Sequence, residues 1–329
     1  MSAGPSVAGL PVPGLPVVAE IVRSGFVEGH HYGSIVALAP DGSVDWSVGE
    51  VAAPVLPRSS NKPIQALAMV ELGLDLPDDL LALACASHSG EPFHVDGVRR
   101  TLASAGLDES ALRTPPDYPL DDTAREAVIR AGGQKSPILM NCSGKHAAML
   151  ATCVARGWDT ETYLEVDHPL QVAIVETFER LTGEPATVAI DGCGAPLLSA
   201  SLTGLARAFS ALATATGGPE QRIAEAIRRH PEFVSGTTRD ELTLHRAVPG
   251  LIGKAGAESV YAVALPDGRA WALKTDDGAP RVRPVLMAEA LRRSGVLAED
   301  GVDADAVEGT GRLELLGGGK PVGEIRAAF

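Results

Sequence analysis

At 329 residues and 45% hydrophobic, the chain is long for one core and short for two independent domains, so one large domain or two fused lobes is expected. Aromatic residues make up only 4%, so the core must be built mostly from Ala, Val, Leu and Ile. A formal net charge of −14 and a pI near 5.0 exclude the basic face that nucleic-acid binding needs.

The stretch Met1–Pro16 is broken by four prolines and lacks a basic leader, so it reads as a flexible tail rather than a signal peptide. A cytoplasmic location follows as an expectation. So does a reduced state for Cys85, Cys142, Cys153 and Cys193. No apolar run is long enough to span a bilayer. Val17–Val22 is apolar and β-branched and predicts a strand. Gly33–Ala39, Pro40-Asp41-Gly42 and Ser43–Val48 read as strand, turn, strand. The same pattern returns at Ser259–Leu265, Pro266-Asp267-Gly268 and Arg269–Lys274.

Between the two hairpins the apolar spacing is helical. Ile64–Leu74 predicts a helix with Gly73 as its stop. Helical spacing recurs over Val98–Ala105, Thr123–Ala131, Lys145–Arg156, Pro169–Thr182 and Pro219–His230. Leu80–Ala84 fits helix or strand, and Thr187–Ile190 is strand-like. The expected fold class is α+β, with an antiparallel sheet built from both termini and a large helical middle. Residues 17–329 are expected to form a single catalytic domain behind a tail at 1–16.

Five segments carry candidate chemistry. In Arg58-Ser59-Ser60-Asn61-Lys62-Pro63 the serine and lysine are three residues apart, on one face if Ser59 opens a helix. A desolvated amine can take the proton of a serine hydroxyl, and Ser-x-x-Lys is the nucleophile motif of penicillin-binding proteins and β-lactamases. The competing reading is a helix cap with a solvated lysine, and Pro63 fits only a first turn. Ala86-Ser87-His88-Ser89-Gly90-Glu91 is either a polar site loop or a plain turn. Asn141-Cys142-Ser143-Gly144-Lys145-His146 and Asp191-Gly192-Cys193-Gly194-Ala195-Pro196 each put a thiol beside a glycine. The two loops could share a metal, with Lys145 or His146 completing the set, or simply bury two thiols. A Cys142–Cys193 disulfide is the third possibility. Lys254-Ala255-Gly256-Ala257-Glu258 is either a Lys-x-Gly strand edge or a glycine-rich loop.

Taken in this order, the five segments resemble the rhizobial-type (thermolabile) L-asparaginases, and the likeness covers nearly the whole chain. The resemblance implies a fold similar to serine β-lactamases and glutaminases, and hydrolysis of L-asparagine to L-aspartate and ammonia. It implies Ser59, Lys62 and Ser87 as catalytic residues. Cys142, Lys145 and Cys193 match a metal site, usually zinc, with Asp191 close by in the substrate pocket. By their place in these motifs, Arg58 and Glu91 are the candidate partners of the substrate's charged groups, and Lys254 orders the site. Zinc is expected to order the pocket rather than to activate water. Ser259 stands where a glycine is expected. A homodimer with no nucleic-acid or membrane partner completes the picture. The second reading is a non-catalytic binder of amino acids or peptidoglycan fragments. The third is a glutaminase or β-lactamase-like hydrolase, although no Ser-Asp-Asn element is visible.

Overall fold

The computed structural model describes residues 14–329. The expected tail lies outside the described residues except for Gly14–Pro16. There the Pro16 carbonyl accepts from the Gly33 N–H at 3.2 Å.

β1 (Val17–Arg23), β2 (Phe26–Leu38) and β3 (Val44–Val48) open the chain as an antiparallel run. The turn after β2 is the expected Pro-Asp-Gly, and the Gly42 N–H closes onto the Ala39 carbonyl at 2.9 Å. The helical middle follows as α1 (Lys62–Glu71), α2 (Asp78–Ala84), α3 (Pro92–Ser104), α4 (Asp122–Arg130), α5 (Ser143–Arg156) and α6 (Pro169–Thr182). A small hairpin of β4 (Val188–Ile190) and β5 (Pro196–Leu198) interrupts it. α7 (Leu202–Thr214), α8 (Gly218–Arg229), α9 (Pro231–Val234) and α10 (Asp240–Ala247) then lead back to the sheet. β6 (Ile252–Ala255), β7 (Val260–Ala264) and β8 (Ala270–Thr275) are antiparallel. α11 (Arg283–Arg293), α12 (Ala304–Gly311), β9 (Leu313–Gly317) and β10 (Lys320–Ala327) end the chain.

The strand order is β6-β7-β8-β2-β1-β10-β9, with β3 also paired to β2. The two predicted hairpins therefore meet through β2 and β8, whose register sets Ile35 opposite Leu273 and Ala37 opposite Trp271. One sheet is assembled from both ends of the chain, as the hairpins imply.

β6, β7 and β8 are buried on both faces, and their side chains alternate between two cores. Val260, Ala262 and Ala264 of β7 join the core with α1, α2, α5, α6, α7 and α8. Tyr261 and Val263 join a second core with α11 and the last two strands. The small alanines on the first face let α7 lie close against β2, β7 and β8. Gly256 follows directly on β6 and touches the turn before α1. A Cβ there would stand 2.5 Å from the Pro57 carbonyl oxygen and 3.4 Å from the Ser59 nitrogen, so only glycine fits.

Candidate active site

The chain enters α1 through a short 3-10 turn over Arg58–Asn61. Lys62 and Pro63 occupy the first turn of α1, where proline's missing N–H costs nothing. Ser59 is half-buried on that turn. Lys62 is buried, and its Nζ donates to the Ala86 carbonyl at 2.6 Å, the Ser87 Oγ at 3.0 Å and the Cys142 Sγ at 3.1 Å. None of these partners is a carboxylate. The lysine thus reaches Ser87, on the loop after α2, and Ser59 lies beside it. None of the three Lys62 hydrogen bonds goes to the Ser59 Oγ.

Ser59 and Ser87 line one cavity of about 410 Å³ together with Asn141, Ala257, Glu258, Arg239 and Arg283. That volume falls within the ~300–1,000 Å³ common for small-ligand pockets. The backbone around it is strained. Arg58, Glu258 and Ser259 all have φ between +52° and +56°, in a region that non-glycine residues avoid. Such strain gathers at functional sites, held by surrounding contacts. Here the Arg58 Nε donates to the Asp191 carboxylate at 2.8 Å, and its Nη1 lies 3.7 Å from Glu258. Glu258 and Ser259 form the tip of the β6–β7 hairpin with both residues at positive φ, as a type I′ turn requires. Ser259 thus holds, fully buried, the conformation that the expected glycine would take without strain.

The Cys142 loop lies alongside. The Cys142 Sγ donates to the Asn141 Oδ1 at 3.0 Å, and the Lys145 Nζ donates to the Cys193 Sγ at 3.4 Å. The neighbouring Cys142 lowers the Cys193 thiol well below its usual range against the opposing effect of burial, with Lys145 assisting. The neighbouring Cys193, and then burial, pushes Cys142 well up. All four cysteines are free thiols, so the disulfide reading is not met in this structure. Burial raises Cys85 to about 12 and Cys153 to about 11, which leaves both as inert core thiols.

Under the cavity sits a cluster of buried charges. Glu241 on α10 accepts from the Lys254 Nζ at 2.8 Å and the Ala255 N–H at 2.9 Å, and it is ion-paired with Arg239. Arg239 also donates to the Ser87 carbonyl at 2.7 Å. Arg283 reaches the Gly256 carbonyl and Asp240, each at 3.3 Å. Burial disfavours the Glu241 carboxylate, but Arg239, Lys254 and Arg283 together hold it well below the usual range. Burial lowers Lys254 to about 8, opposed by Glu241.

The chain matches the L-asparaginase II family over residues 19–327. It belongs to that family. The match makes the chain an enzyme of the hydrolase class, with an amidohydrolase kind of function and a small amide as substrate. The comparison with curated proteins gives no match. Among solved structures it is similar to a β-lactamase from Mycobacterium bovis at 17% identity and TM-score 0.44, covering 79% of this chain and 94% of the other. Mglu in its glutamate form is similar at 14% identity and TM-score 0.45, covering 82% of this chain and 62% of the other. EstCE1, a hydrolase with promiscuous acyltransferase activity, is similar at 14% identity and TM-score 0.41, covering 79% and 93%.

Within this member of the family, Ser59, Lys62, Ser87, Cys142, Lys145 and Cys193 come together around one corner of the cavity, and Asp191 joins them through Arg58. Two other candidates sit elsewhere. Glu91 is committed to the Thr237 N–H at 2.8 Å and Oγ1 at 2.7 Å, and so clasps the Ser87 loop to the segment before α10. Lys254 is fully buried against Glu241 and supports the floor from below. Sequence reasoning missed Arg239, Asp240, Glu241 and Arg283. They lie more than 140 residues from the Ser87 loop, in segments with no motif, and only the fold brings them in.

The Glu241 carboxylate yields a stability prediction. Glu241→Gln leaves the buried Lys254 and Arg283 and the half-buried Arg239 facing one carboxylate and should destabilise the fold by about 3–5 kcal/mol at neutral pH. The folded-state pKa of Glu241 lies below its ordinary value of 4.5, so its stabilisation is present above that value and lost as pH falls through the folded one. Urea unfolding should therefore show the two proteins converging on acidification. Equal midpoints at pH 7 would mean the cluster does not depend on Glu241.

Proposed function

We propose that this enzyme hydrolyses the side-chain amide of L-asparagine to L-aspartate and ammonia, with residues 17–329 as the catalytic unit. The observation that carries the proposal is the contact of the buried Lys62 amine with Ser87, at the edge of the cavity that Ser59 also lines, within an L-asparaginase II chain. In this reading the Ser59 Oγ attacks the amide carbon. Its proton passes to Lys62, directly or through the Ser87 hydroxyl. The carbonyl oxygen takes up negative charge in the tetrahedral intermediate. The N–H groups of Ser59 and Ala257 make no hydrogen bond among the described residues and border the same cavity, so they suit an oxyanion hole. The C–N bond then breaks, the nitrogen takes the stored proton, and ammonia leaves. Water attacks the resulting ester, aspartate departs, and Ser59 regains its proton. Ammonia release by purified protein from L-asparagine, L-glutamine and D-asparagine tests the assignment. Activity on L-asparagine is expected, and its absence would overturn the reading.

Zinc belongs to this proposal through the family likeness. Among the described residues no group of three or more His, Cys, Asp and Glu side chains is placed to hold a metal. The set in question has two thiols, and its third donor is Lys145. These donors suit zinc: Cys142, Lys145 and Cys193 are all buried, and the Lys145 Nζ lies 3.4 Å from the Cys193 Sγ. The Nε2 of the neighbouring His146 is buried without a hydrogen-bond partner. A zinc ion held by Cys142, Lys145 and Cys193 would fix the Cys142 loop, which carries Asn141 into the cavity. One zinc per chain is expected by elemental analysis, and thiol alkylation should rise when a chelator is added. Metal-free protein whose thiols react equally with and without chelator would remove zinc from the account.

A further inference from the structure

An amino-acid substrate brings a carboxylate into the pocket, and a cation must receive it. Arg58 is poorly suited, because its single guanidinium is already shared between the carboxylates of Asp191 and Glu258. A third carboxylate there would meet two like charges. Glu91 has the wrong sign for this role and is held by Thr237.

The floor of the cavity has the opposite balance. Arg239, Lys254 and Arg283 are ion-paired with Asp240 and Glu241 alone, so three cations are set against two carboxylates, while Glu258, which also lines the cavity, is exposed and lies beside Arg58. Burial makes an unbalanced charge costly unless something neutralises it. Of the three cations, Lys254 is sealed beneath the strand, while Arg239 and Arg283 both line the cavity. Each guanidinium has five N–H donors, and neither uses them all. Arg239 is bound to the Ser87 carbonyl and to Glu241. Arg283 is 8% exposed, and its Nε is buried with no partner. Two guanidinium groups with spare donors and one surplus positive charge suit a bidentate oxyanion.

We propose that Arg239 and Arg283 seat the α-carboxylate of the substrate. The pocket would thereby accept amides that carry a free carboxylate and discriminate against neutral or purely cationic amides. This rests on the asparaginase reading and extends it: Arg239 also holds the Ser87 carbonyl, so a seated carboxylate and a positioned Ser87 share one side chain.

The test compares L-asparagine with 3-aminopropanamide, which is asparagine without its α-carboxylate. In wild type, kcat/KM should strongly favour asparagine. In Arg239→Gln and in Arg283→Gln that ratio should fall by about 10–100-fold, because a charge-assisted contact to the carboxylate is lost. A purely structural role for the arginines would lower both substrates by the same factor, and an unchanged ratio in both variants overturns the proposal. If wild type releases no ammonia from asparagine, the asparaginase reading fails by itself. The arginine seat is then judged by calorimetry with L-aspartate against 3-aminopropanoate. Tighter aspartate binding that disappears in the folded variants sustains the seat, whereas equal or absent binding of the two overturns it.

Discussion

Ser59→Ala is expected to lower turnover of L-asparagine by about a million-fold, the scale seen when a covalent nucleophile is removed. The fold should be unaffected. Ser59 is half-buried on the cavity wall, so alanine removes one oxygen from that wall and nothing from the core. The unfolding midpoint should match wild type, and substrate should still bind. Ser87→Ala makes the informative contrast. It removes the hydroxyl partner of Lys62 at 3.0 Å and should cost less, since the amine can still reach a substrate-bound Ser59 as contacts tighten. A Ser59→Ala protein that keeps a sizeable share of wild-type activity would mean another group attacks the amide.

Lys62→Arg should be nearly as damaging. A base must exist as a free amine for part of each cycle, and a guanidinium never deprotonates in the working pH range. Lys62 is 1% exposed and its ammonium donates to a carbonyl, a hydroxyl and a thiol, so the larger planar group also fits badly. Lys62→Ala separates chemistry from packing. If the amine is the base, small primary amines added to the folded Lys62→Ala protein should restore part of the rate. A Lys62→Arg enzyme with the wild-type rate would reduce Lys62 to a structural charge.

How much of this was legible in the sequence depends on how local each signal is. The two Pro-Asp-Gly turns between apolar runs revealed both hairpins, because turn chemistry and strand alternation lie within a dozen residues. The pairing of β1 with β10 was invisible, since β10 is half polar and its partner lies 300 residues away in sequence. Leu80–Ala84 stayed ambiguous because a short apolar run fits a buried helix or a strand, and burial on every side erased its period. α6, with proline at its start and Gly183 at its end, was legible to the residue, whereas α3 was read only from Val98 and α7 was not read at all. In the site, motif order grouped Ser59, Lys62, Ser87 and the two thiols. It could not show that the Lys62 amine bonds Ser87 and not Ser59 in the resting protein, nor that Arg58 is taken up by Asp191. Such choices are made by side-chain packing across elements that the sequence keeps far apart.

Attack on the amide by a serine of the α1 turn leaves an acylated enzyme, which is read as the mass of the protein caught in turnover. Wild-type protein should be mixed with excess L-asparagine, quenched in acid within the first turnovers, digested and mapped. The account predicts an aspartyl ester on the peptide carrying Ser59, absent from Ser59→Ala and accumulating when deacylation is slowed. An ester found on Ser87, or rapid ammonia release with no acylated serine at any quench time, would contradict it.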